Sequence, residues 1–133
     1  MGQSQLLLIA LGVIIVGAAV IVGMNLFHAN AVEANRNGIT NDLLTIANLS
    51  QAYYKKLSNL GGGSNSFEGF DIPARFKQNE NGTYSTLYAR ADQALFEGVG
   101  IESAEMGAGC TEGQNITHRI LVFPDSVRVQ IIY

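Results

Sequence analysis

Residues Leu6 to Met24 read LLLIALGVIIVGAAVIVGM, nineteen positions without one charged or strongly polar side chain. As an α-helix this run spans roughly 28 Å at ~1.5 Å per residue, close to the ~30 Å hydrocarbon core of a bilayer. A helix in the core of a small soluble domain needs one apolar face, whereas this one is apolar all round. A cleavable secretory signal is a poorer fit. Such a signal carries basic residues ahead of its apolar part, and the residues here are the uncharged Met1-Gly2-Gln3-Ser4-Gln5. The segment is therefore read as a helix inserted in a membrane at some stage of its existence.

Beyond Phe27 the helical pattern continues. Val32, Ile39, Leu43, Ile46, Tyr53, Leu57 and Leu60 recur on three- and four-residue steps, with Arg36 and Ser50 as polar interruptions. No proline precedes Pro73, and Gly61-Gly62-Gly63 gives a stop signal. Lys55 and Lys56 fall in the last turns, where cations suit the helix dipole. Gly38 is the weak joint, costing ~1 kcal/mol relative to Ala. One helix is expected from about Gln5 to Leu60, about 80 Å long at the same rise. Its apolar half, residues 1–28, would outreach any head that residues 29–133 can form. Two uses fit such a helix: an anchor in a membrane, or burial among identical helices in a fibre core. Gly12, Ala19 and Gly23 share a face, with Ala19 and Gly23 in a small-xxx-small pair suited to close helix approach.

At 133 residues, with one cysteine and a net charge of −3, the chain has room for one small domain and no intrachain disulfide. The mild acidity excludes the concentrated basic patch that nucleic acids require, so no nucleic-acid partner is predicted. After the helix, a Gly-rich loop is expected over 61–82, anchored by Phe67, Phe70, Ile72 and Phe76. Strands are predicted at Thr83–Ala89, Gln93–Val99, Ile116–Phe123 and Val127–Tyr133, with Pro124-Asp125-Ser126 turning the last pair. The fold class is thus α+β: a long N-terminal helix, with an antiparallel sheet of about four strands packed on its C-terminal half.

No catalytic constellation is present, and neither enzymatic activity nor a cofactor is expected. His28 and His118 are far apart, and no Cys or His cluster has metal-ligand spacing. His28 is read as an interfacial or solvated residue, and His118 as an exposed one. Cys110 lacks a nearby base to lower its pKa and reads as an inert thiol. The acidic residues Glu102, Glu105, Glu112 and Asp125 are too dispersed to argue for calcium. Asn48, Asn81 and Asn115 begin N-x-[ST] triplets, of which Asn81 and Asn115 fall in turn or loop settings open to a glycan. Tyr53 and Tyr54 read as core or subunit interface.

This organisation resembles the bacterial type IV pilins. Asn37 to Phe70 (NGITNDLLTIANLSQAYYKKLSNLGGGSNSFEGF) looks like a subgroup of small prepilin-type proteins, with its tyrosine pair, glycine run and N-S-F-x-G-F. The resemblance implies a subunit that polymerises with copies of itself into an extracellular filament. It further implies an inner-membrane precursor, processing by a prepilin peptidase and extraction by a pilus assembly machinery. Assembly would then rest on Met1, Gln3, Gln5, Leu8, Gly12, Ile15, Gly17, Ala19, Gly23 and Phe27. Three departures stand out, one of them that the family's short basic leader ending in Gly is not seen before Met1, as expected of a processed chain. Gln5 occupies the position where most of the family carry a glutamate, if Met1 is the mature N-terminus of a processed chain. The proline usual in the family's apolar half is missing, which leaves Gly17 as the expected soft point. The alternatives are a pseudopilin of a secretion system and a bitopic membrane-anchored binding module.

Overall fold

The computed structural model describes residues 2–103 and 113–132. The chain is α+β. A 54-residue helix α1 (Gly2–Lys55) is followed by a short 3-10 turn (Ser58–Leu60) and a single helical turn α2 (Ala74–Lys77). Four strands complete it: β1 (Gly82–Ala89), β2 (Ala94–Ser103), β3 (Asn115–Val122) and β4 (Val127–Ile131). They form one antiparallel sheet in the order β1-β2-β3-β4, packed on the C-terminal part of α1. The chain divides into two compact units, one up to Ala31 and the other from Val32 onward.

In the second unit the buried residues of α1 are Val32, Asn35, Ile39, Leu43, Ile46, Ala47 and Ser50. They recur on the three- and four-residue steps of the expected stripe and meet the inner faces of Tyr84, Ala94, Phe96, Ile116, Ile120 and Val122. The helix sits close because β2 presents glycines to it. A Cβ on Gly98 would lie 2.8 Å from Ile39 Cγ2, and one on Gly100 would overlap Asn35 Oδ1. Phe67 and Ile72 are fully buried beside this core, with Phe70 and Phe76 partly so, as expected of the loop's anchors.

Three expectations are corrected. The helix ends at Lys55, not Leu60, and Leu57 and Leu60 are exposed. Its last carbonyls turn instead to the glycine loop. Tyr53 O accepts from Gly63 N (2.8 Å), Tyr54 O from Asn65 N (2.8 Å) and Lys56 O from Ser64 N (2.9 Å). The positive φ of Ser64 and Asn65, 46° and 65°, accompanies this inward turn of the loop's amides. The loop over 61–82 also contains α2 and a bridge between Gln78 and Thr83.

The third correction concerns His118, which is buried at 2% exposure. It shares strand parity with Ile116, Ile120 and Val122, so the pleat directs it to the helix with them.

Candidate assembly surface

The first unit is helical throughout its described residues, including Gly17, where a soft point was expected. Fifteen large apolar side chains between Leu6 and Phe27 are 53–78% exposed, Leu8 at 68%, Ile15 at 59% and Phe27 at 78% among them. Because successive helical residues are about 100° apart, these side chains cover the whole circumference. Ala19 and Gly17 are exposed and Gly12 and Gly23 half-buried, and a Cβ added at any of the three glycines meets open space. Their smallness is therefore unused within one copy. Gln3 and Gln5 are exposed on the same helix. Met1 lies outside the described residues, as do Cys110, Glu105 and Glu112. α1 is long and apolar enough to cross a membrane.

In the second unit, two polar clusters fix where α1 meets the sheet. On one flank Asp42 Oδ2 accepts hydrogen bonds from Tyr84 OH (2.6 Å), Asn81 Nδ2 (2.7 Å) and Asn79 Nδ2 (2.9 Å). Burial works against the Asp42 charge, but the bonds from Asn81, Tyr84 and Asn79 more than offset it and hold the carboxyl below its usual range. Burial, with the Asp42 carboxylate beside it, pushes the Tyr84 phenol well up. Asn81 is clasped twice, since its carbonyl accepts from Asn35 Nδ2 at 2.7 Å. Its side chain fills the space that a Cβ on Gly38 would need, 2.8 Å away. Gly38, read from sequence as a weak joint, is thus a docking position.

On the other flank, His118 Nδ1 lies 3.0 Å from Thr40 Oγ1. The Thr40 hydroxyl proton goes to the Arg36 carbonyl (2.9 Å), so the shared proton belongs to His118 Nδ1. His118 Nε2 and Arg36 Nε are buried nearby without partners. Burial, with the Arg36 charge added, lowers the His118 pKa.

Both glycan-acceptor candidates use their amides internally. Asn81 Nδ2 is bound to Asp42, and Asn115 Nδ2 donates to the Gly100 carbonyl at 2.8 Å. Asn48 is exposed on α1. Among the described residues no group of His, Cys, Asp or Glu is arranged to hold a metal ion. One open depression of about 320 Å³ is lined by Gln78, Asn79, Thr83, Val99, Ile101 and Asn115, none of them a nucleophile–base pair.

No family model, curated protein or solved structure matches the chain. The class it falls into is therefore set by architecture: a long apolar N-terminal helix whose C-terminal part packs against a four-stranded antiparallel sheet, which is pilin-like.

Proposed function

We propose that this chain is the structural subunit of an extracellular filament of the type IV pilus kind, built by burying the apolar half of α1 among copies of itself. The observation that carries this reading is the ring of exposed apolar side chains from Leu6 to Phe27. Each Leu, Ile or Phe fully buried contributes ~1.5–3 kcal/mol, so such a surface has a strong drive to leave water. Lipid meets that need in the precursor and neighbouring helices meet it in the fibre, where Gly12, Ala19 and Gly23 let backbones approach. The role is structural, not enzymatic.

In this reading the inner membrane holds the precursor, a peptidase of the prepilin class trims it, and an assembly platform stacks it. Gln3 and Gln5 lie at the helix start, where they, with Met1 before them in the sequence, would set the register between copies. Gln5 can hydrogen-bond a neighbour's amine but contributes no ion pair, so apolar packing carries most of the registration.

Replacing Leu8 or Ile15 with Lys places a charge where no partner or water can reach it, which costs several kcal/mol. Either variant is expected to give no fibres by electron microscopy while its head unfolds in urea as the parent does. Intact fibres from both would contradict the proposal.

The helix's ability to span a bilayer favours one second reading, a pseudopilin of a secretion system or its variant, a permanently anchored bitopic binding module. Under it the chain would stay in the membrane fraction, and the same Lys substitutions would impair insertion.

A further inference from the structure

The inner face of the sheet is wider than the helix that covers it. Val127, Val129 and Ile131 pair in register with Val122, Ile120 and His118, so they point to the same side as those buried residues. Yet Val129 is 40% and Ile131 68% exposed, because α1 lies over the other strands. The helix shows an apolar residue on this flank as well. Thr40 touches His118 on β3 and Gln51 Nε2 bonds the Phe123 carbonyl at 2.9 Å, so the positions on the helix line that joins them lie toward β3 and β4. Leu44, one turn after Thr40 and two before Gln51, is 38% exposed there. Leu44, Val129 and Ile131 thus form a trough of apolar side chains between α1 and β4, its Ile131 end beside His118 and Arg36. Arg128 and Gln130 have the opposite parity and point to the other face of the sheet.

We infer that this trough receives the apolar half-helix of a second copy. The inference rests on the filament reading. Helices that are apolar on every side cannot all be covered by one another. Those at the rim of a bundle turn one side outward, toward the heads, and that side needs an apolar surface on the head. The trough matches such an occupant in charge and in size. Leu6 to Phe27 carries no charge, and neither do the three trough residues. From Val127 to Ile131 the strand runs about 13 Å, which accepts about two and a half turns of a helix lying along it.

The test uses the intact chain expressed in a pilus-assembling cell, with the conservative Ile131→Val beside Ile131→Asp. Ile131→Asp is expected to lower the yield of sheared filaments at least tenfold with an unchanged urea midpoint for the head, and Ile131→Val to assemble as the parent does. A photo-crosslinking residue at Val129, activated in filaments, is expected to trap peptides from residues 6–27 of a second copy. Parental yields from Ile131→Asp, or cross-links confined to head peptides, would overturn the inference while leaving the filament reading standing. Absence of filaments from the parent would overturn both.

Discussion

Asp42 and His118 hold opposite flanks of the same helix to one face of the sheet by different means. Asp42 is a partly buried anion with three neutral donors, and Tyr84 supplies the shortest of those bonds at 2.6 Å. A hydrogen bond to a charged group contributes ~1.5–3 kcal/mol, so Tyr84→Phe should lower head stability by about that amount. Urea titration at neutral pH measures it.

His118 sets a pH dependence. Its folded pKa lies below the ordinary value of 6.5, so the unfolded chain binds a proton more readily than the native one. The stability this adds is complete above pH about 6.5 and is lost as pH falls from there toward the folded pKa. Asp42, also depressed, matters lower down: its contribution is present above its ordinary 3.8 and is lost as pH falls through its folded pKa. Replacing His118 with Leu leaves the Thr40 hydroxyl on the Arg36 carbonyl and removes the titration. The variant's urea midpoint should be flat between about pH 7 and 5, where the parent's declines.

Sequence parity alone was enough to bury His118, since it stands two residues from Ile116 and from Ile120. The expectation of exposure set it out of phase with those inward positions, whereas it is in phase with them. Asp42 gave no signal, because its partners lie 37 to 42 residues away and only the folded chain brings them together.

At the scale of elements, the apolar run, the amphipathic stripe and the alternation of β1 to β4 were all legible, because periodicity records which side of an element is covered. The place where α1 stops was not. Leu57 and Leu60 continue the period, but the loop's amides compete for the helix's last carbonyls, and that competition depends on glycines that allow close approach. A Cβ on Gly62 would overlap the Lys56 carbonyl, and one on Gly63 would overlap the Ser66 carbonyl and crowd the Tyr53 ring at 2.8 Å. Gly63→Ala should therefore cost about 1–3 kcal/mol, as overpacking does, and should loosen the Tyr53–Phe70 contact. Thermal unfolding followed by tyrosine fluorescence reports both effects. Gly61→Ala faces open space but a φ of 78°, so its cost is conformational, about 1 kcal/mol.

For the whole molecule, the apolar surface proposed for assembly was the most legible feature and the proposed register between copies the least. Fifteen exposed apolar side chains declare that something must cover them, and they do so in the one-dimensional sequence as plainly as in the fold. The site proposed to receive a neighbour's helix, the side chains of Leu44, Val129 and Ile131, comes together only once β4 has paired with β3 beside the helix. The central claim, that copies of the chain cover one another's apolar helices outside the membrane, is tested most directly by mechanical shearing of intact cells. The sheared fraction should contain this chain in abundance, as a homopolymer resolved into single copies only by detergent and heat. Retention of the chain in the washed membrane fraction, with nothing released by shear, would contradict the account.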